Sequence, residues 1–196
     1  MDTASIYGDH LDEMNLVMHH TMNLIKQGAA SIKENTGMEP IEHLKGRIKD
    51  EESMREKCRR QNLPETTDSA LNKLFDSIGI RIVCSFLDDV YAVRDFLADC
   101  PDIEIVTEKD YIKNVKPNGY RSLHIITRVK GYHVEIQLRT ISMDTWAALE
   151  HHIRYKKSIA NTTLIFDELK RCADELASTD ASMQTIRSMI NENITC

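Results

Sequence analysis

Leu123-His124-Ile125-Ile126-Thr127-Arg128-Val129-Lys130-Gly131-Tyr132-His133-Val134-Glu135-Ile136-Gln137-Leu138-Arg139 is the stretch on which the fold turns. Leu123 to Arg128 and His133 to Arg139 read as two strands, and the short turn at Lys130-Gly131 predicts an antiparallel hairpin. In the second strand Val134, Ile136 and Leu138 alternate with Glu135, Gln137 and Arg139, so one face is core and the other polar. Upstream, the β-branched run Ile78-Gly79-Ile80-Arg81-Ile82-Val83-Cys84 reads as a buried strand. Asp88 or Asp89 starts a helix over Val90, Val93, Phe96 and Leu97, and Ile103, Ile105 and Val106 make another strand. Downstream, a helix runs from about Ile141 to Lys156. From Asn161 onward come one or two more helices, with Phe166, Leu169, Cys172 and Leu176 on one face. Near the start, Leu11, Met14, Met18, Met22 and Ile25 recur at helical spacing, a stripe better suited to packing than to a cofactor. Gly37 and Pro40 break the chain, Ile41 to Lys49 crosses into the next element, and Asp50 caps a helix to about Arg60. Pro64, Thr66 and Thr67 open a further short helical piece. The order predicts an α/β (α+β) fold, a mixed β-sheet flanked by helices.

The chain has 196 residues, 41% hydrophobic and 29% charged, which suits one globular domain. No apolar run is long enough to span a membrane, and the polar start Met1-Asp2-Thr3 is not a signal peptide. Cys58, Cys84, Cys100, Cys172 and Cys196 are odd in number and scattered, which favours reduced thiols in a cytoplasmic protein over a disulfide framework or zinc site.

Chemistry gathers around Lys109-Asp110-Tyr111-Ile112-Lys113-Asn114-Val115-Lys116-Pro117-Asn118-Gly119-Tyr120-Arg121-Ser122-Leu123-His124. Pro117, Asn118 and Gly119 read as a turn. From Lys109 to Arg139 seven basic residues face two acidic ones, a positive basin in a chain of net charge -6. Such a basin favours polyanions and Tyr120 offers a stacking face, so phosphate plus base points to a nucleotide. Lys49, Ser53, Lys57 and Arg60 are spaced to share a helix face, with Arg47 just ahead, beside a helix N-terminus that would suit a triphosphate. On spacing alone a solvated basic face is the simpler account. Asp76 precedes the buried strand and has the opposite parity to Arg81, so it belongs before the strand or at a bend. Adjacent histidines in Glu150-His151-His152 point apart on a helix, which argues against a metal site there.

The loop, together with Val134-Glu135-Ile136-Gln137-Leu138-Arg139-Thr140, resembles the synthetase domain of the RelA/SpoT family. The similarity runs from Arg47 to about Lys156, in the length and layout of the family's single-domain small alarmone synthetases. The resemblance implies a nucleotidyltransferase-like synthetase fold. It also implies transfer of pyrophosphate from ATP to the 3′-hydroxyl of GDP or GTP, with GMP a further acceptor. By resemblance, Arg47, Lys49, Ser53, Lys57, Arg60 and Arg81 bind ATP, with Arg47 and Arg81 sandwiching adenine. Asp76 and Glu135 match the magnesium positions, Glu135 also accepting the hydroxyl proton. Lys109, Lys116, Asn118, Tyr120, His124 and Ala147 match the acceptor site, while Arg121, Gln137 and Arg139 support it.

Val115 departs from the proline common in relatives, and the turn at Lys130 is short. The chain lacks the His-Asp dipeptide of the family's hydrolase domain, so synthesis without hydrolysis is expected. Two alternatives stay open: the same chemistry on an adenine nucleotide or tRNA 3′-end, and a non-catalytic RNA- or nucleotide-binding regulator. The expected organisation is one domain over 1–196, with motif core 41–157, N-terminal helix 10–36 and C-terminal helical segment 161–196. Both terminal helices carry more apolar stripe than one sheet covers, and the resemblance implies a homotetramer, with a regulatory nucleotide or single-stranded RNA as further partners.

Overall fold

A computed structural model describes residues 5–154 and 162–194. Ten principal elements follow in order: α1 (Leu11–Thr36), β1 (Ile41–Ile48), α2 (Glu51–Arg60), β2 (Ile78–Cys84), α3 (Leu87–Asp99), β3 (Glu104–Asp110), β4 (Leu123–Val129), β5 (Tyr132–Thr140), α4 (Ile141–Arg154) and α5 (Thr162–Ile194). A π-helical turn at Ser69–Lys73 precedes β2. The strands form a five-stranded sheet in the order β1-β2-β5-β4-β3. Only β2 and β5 pair in parallel; the other three pairs are antiparallel.

Alternation sorts the two faces of the sheet. Ile78, Ile80 and Ile82 of β2, Leu123, Ile125 and Val129 of β4, and Val134, Ile136 and Leu138 of β5 are buried together. From α1, Met14, Val17, Met18 and Ile25 join this core, and α3 adds Val90, Val93 and Leu97. Burying each such side chain stabilises the fold by about 1.5–3 kcal/mol before entropy is counted. The methionine stripe of α1 is therefore core, as its spacing suggested.

The β4–β5 hairpin closes at Lys130 and Gly131, whose φ angles of 48° and 87° suit the tight two-residue turn. β2 has the bounds expected from sequence, and Asp50 caps α2 by accepting a hydrogen bond from Ser53 N at 2.9 Å.

Several expectations need correction. Ile41–Ile48, within the stretch read as a crossing to the next element, is an edge strand, disguised by Glu42, His43, Lys45 and Arg47 and by an irregular register near its start. α3 starts at Leu87, and Asp89 reaches back to accept from Phe86 N instead of opening the helix itself. β3 runs on to Asp110, so Lys109 lies on a strand and not in the loop. The C-terminal segment is one helix in its described part. Its end and that of α4, including Lys156, meet residues outside those described. The apolar stripe of α1 is covered, whereas α5 leaves Met183, Ile186, Met189 and Ile190 exposed.

Candidate active site

Residues opposite one another in adjacent strands share a face. Lys45 faces Arg81, Arg81 faces Gln137, Gln137 faces His124 and His124 faces Lys109, which makes one polar row across all five strands. In the neighbouring row Arg47 faces Gly79, and Gly79 faces Glu135. Gly79 contributes no side chain, and there the surface sinks into a cleft of about 280 Å3 lined by Arg47, Lys49, Asp76, Arg81, Glu135 and Gln137 among others.

One side of the cleft is cationic. Asp76 sits at a bend before β2, as its parity required, and its Oδ2 receives Lys57 Nζ at 2.6 Å and Lys49 Nζ at 3.0 Å. Its Oδ1 is buried without a hydrogen-bond partner. Burial works to raise the Asp76 pKa, but the hydrogen bonds and charges of Lys57 and Lys49 carry it below the ordinary carboxylate value. Arg47 and Arg81 are diagonal neighbours on one face, spacing that lets a flat ring enter between guanidinium planes. Burial, then Arg139 and Arg47, depress the Arg81 pKa against the opposing pull of Asp144, a sign of crowded positive charge. Ser53 and Arg60 lie on α2, Arg60 exposed. The N-terminus of α2 is not an open anion site: Asp50 already occupies Ser53 N and places its own negative charge there.

The other side is a closed circuit of side chains. Tyr120 Oη lies 2.8 Å from His124 Nε2, and His124 Nδ1 lies 3.7 Å from Glu135 Oε1. Glu135 Oε2 accepts from Gln137 Nε2 at 2.9 Å, and Gln137 Oε1 accepts from Arg139 Nη2 at 3.0 Å. Arg139 Nη2 also donates to Tyr120 Oη at 2.8 Å, closing the loop. A guanidinium can only donate, so the tyrosine oxygen accepts and its proton is free for His124 Nε2. That leaves Nδ1 as the ring nitrogen of His124 that faces Glu135. Burial pushes the Glu135 pKa up, yet His124 and then Gln137 take it below the usual carboxylate value, with Asp76 opposing. The two acids thus feel each other across the cleft, and Glu135 is an ionised base at neutral pH.

The remaining expected residues divide. Lys116 Nζ stands 4.2 Å above the Tyr111 ring and 5.0 Å from that of Tyr120. Asn118 Oδ1 accepts from Tyr120 N at 3.2 Å, and Gly119 N closes the turn onto Lys116 O at 2.8 Å. Lys109 is exposed at the far end of the polar row, and Ala147 is half-buried on α4. Arg121 turns away to α5, donating to Ala173 O at 3.2 Å and Asp174 Oδ1 at 2.9 Å. Gly119, at φ 87°, packs so closely on α5 that a Cβ there would come within 2.7 Å of Ala173 Cβ.

Four of the seven basic residues of the positive basin read from sequence are paired with acids. Arg121, Arg128 and Arg139 pair with Asp174, Glu104 and Asp144, acids from outside the counted segment, while Lys113 pairs locally with Asp110. Sequence reasoning passed over Asp144, which contacts both Arg81 and Arg139 and follows no motif, and Tyr111, whose ring joins the cluster at 5.3 Å from His124. Among the described residues no group of three or more potential metal ligands occurs, Glu150-His151-His152 included. Nor is any described helix long and apolar enough to cross a membrane.

Residues 46–160 match the region found in RelA / SpoT proteins. The chain is 42% identical over 163 residues to the GTP pyrophosphokinase YwaC of Bacillus subtilis, covering 79% of this chain and 78% of that one. It is 34% identical over 161 residues to the GTP pyrophosphokinase YjbM of the same organism, covering 78% and 75%. The fold is similar to the small alarmone synthetase 1 from Bacillus subtilis solved with its product pppGpp, at a TM-score of 0.79 and 30% identity over 90% of this chain and 94% of that one.

Proposed function

The chain belongs to the RelA/SpoT family, and on that premise we propose that it is a GTP pyrophosphokinase that uses ATP to make (p)ppGpp. The 3′-oxygen of GDP or GTP attacks the β-phosphorus of ATP, the bond from that phosphorus to the α-phosphate oxygen breaks, and AMP leaves. The observation that carries this reading is the meeting of Asp76 and Glu135 in one cleft between lysines and arginines on one side and an aromatic cluster on the other.

To each residue we assign the task that the family resemblance implies. Arg47 and Arg81 hold adenine between them, while Lys49, Lys57 and Arg60 take the phosphates, with Ser53 beside them on α2. Because Lys49 and Lys57 already grip Asp76, an incoming triphosphate offers them a second anion and loosens their hold on that carboxylate. Tyr120 stacks on the guanine, Asn118 and Ala147 meet its edge, and Lys109, Lys116 and His124 face the acceptor phosphates. Glu135 takes the proton of the 3′-hydroxyl, held for the task by His124 and Gln137.

The two acids also fit a hard divalent cation. Asp76 Oδ1 is buried without a partner, and Glu135 Oε1 has the 3.7 Å contact with His124, so both offer an oxygen ligand. Two protein ligands suit Mg2+, which takes its remaining ligands from water and phosphate and, when bound, neutralises phosphate charge.

We further infer a cytoplasmic homotetramer from the family resemblance; the exposed Met183, Ile186 and Ile190 at helical spacing on α5 support self-association. The deciding experiment incubates the protein with ATP, Mg2+ and GMP, GDP, GTP or an adenine nucleotide, and separates the products by chromatography. AMP with a 3′-pyrophosphorylated guanosine is expected; folded protein that forms no AMP overturns the reading.

A further inference from the structure

Asp144 lies in the first turn of α4, where the helix dipole favours a negative charge. Thr140 caps that turn, its Oγ1 accepting from Met143 N at 3.2 Å. One oxygen of Asp144 serves two cations: Oδ1 lies 3.1 Å from Arg139 Nη1 and 3.4 Å from Arg81 Nη1. These arginines belong to different halves of the site. Arg81 lines the cleft beside Arg47 and Gly79. Arg139, with its side chain only 6% exposed, carries Tyr120 Oη and Gln137 Oε1. Asp144 thus places one negative charge between two guanidinium groups that otherwise repel.

We propose that Asp144 is a positioning residue that couples the two nucleotide subsites, so that filling one strengthens binding at the other. The proposal rests on the pyrophosphokinase reading, since it takes the Arg81 side for ATP and the Tyr120 side for the guanine nucleotide. The path is a run of direct contacts: Arg81 to Asp144, Asp144 to Arg139, Arg139 to Tyr120. A nucleotide that fixes Arg81 also fixes Asp144, and through Arg139 it reduces the freedom that the second nucleotide must remove from Tyr120. Linkage makes the effect mutual.

Calorimetry of a non-hydrolysable ATP analogue with and without GDP reads the coupling directly and needs no turnover. In the unaltered protein GDP is expected to tighten the analogue by about fivefold or more. Asp144→Asn keeps the shape and one acceptor oxygen but removes the charge that holds two cations, so the factor should fall to near one while the melting temperature holds. Tyr120→Phe keeps the ring and cuts the same path at its far end, and it decides the matter if Asp144→Asn does not fold. A merely structural Asp144 would weaken each nucleotide alone and leave the factor unchanged. No coupling in the unaltered protein, or full coupling in folded Asp144→Asn, overturns the proposal. AMP formation in the unaltered protein without coupling removes this inference alone, whereas absence of AMP formation removes the reading beneath it.

Discussion

Gly79 stands directly opposite Glu135 across the parallel β2–β5 pair, and a Cβ at that glycine would touch nothing nearer than Arg47 O at 3.9 Å. The strand therefore tolerates a side chain there, and the bare position serves the cleft instead of the backbone. Gly79→Ala is expected to hold or raise stability by about 0.5–1 kcal/mol, the usual gain over glycine inside a strand. Gly79→Val puts branched carbon into the cleft, so the KM for ATP should rise while the melting temperature holds. An unchanged KM in the valine variant would mean that ATP does not use this floor.

Glu135→Gln preserves the size of the side chain and removes its charge and its proton acceptor. Turnover should drop by about 10²–10⁴-fold, the range for losing a general base. The residue lies on the polar face outside the main core, so melting and ATP binding should stay near normal. Near-normal turnover would exclude Glu135 from the chemistry.

Tyr120 has both a ring and a hydroxyl in use, and two substitutions separate them. Tyr120→Ala removes the stacking face and should weaken guanine-nucleotide binding by about 1–3 kcal/mol. Tyr120→Phe loses only the contacts to His124 and Arg139 and should retain most binding of GDP alone. Equal GDP affinity in the two variants would show that the ring carries no stacking role.

Gly119→Ala meets two penalties, a left-handed backbone and a Cβ 2.7 Å from that of Ala173. Crowding of this kind costs about 1–3 kcal/mol, read as a lower melting temperature. The loop and α5 must move apart, so the KM for the guanine acceptor should rise more than that for ATP. Equal increases for both would separate the loop from acceptor binding.

Asp76 gives the fold a distinct acid response. Burial disfavours its charge, but Lys57 and Lys49 more than compensate, so the folded chain releases this proton at lower pH than the unfolded chain. The stabilisation is complete above the ordinary aspartate pKa of about 3.9 and is lost as pH falls through the lower folded value. Asp76→Asn should flatten this acid limb in thermal melts, leaving the part due to Glu135, which is also held low. A variant with the same acid sensitivity as the parent would contradict the assignment.

Local chemistry made much of the fold legible. Alternation announced the hairpin, β-branched residues gave β2 its bounds, and Asp50 marked the start of α2. β1 escaped because an edge strand with one exposed side carries few apolar markers. The candidate site was legible in membership more than in arrangement. Glu135, His124, Tyr120, Gln137 and Arg139 could each be nominated, but their circuit depends on a register that no single strand states. Charge was the least legible property. Arg121 and Asp174 are 53 residues apart, so counting cations along one segment could not show which of them helix packing would neutralise.

The contact of Gly119 with Ala173 also orders events at the ribosome. Synthesis releases the N-terminal side first, so Arg47, Asp76 and Arg81 emerge well before α5. A growing chain that has reached the end of β5 possesses both acids, yet the wall behind its Gly119 turn is still untranslated. Only when the first half of α5 has been made does Gly119 gain the surface that backs it.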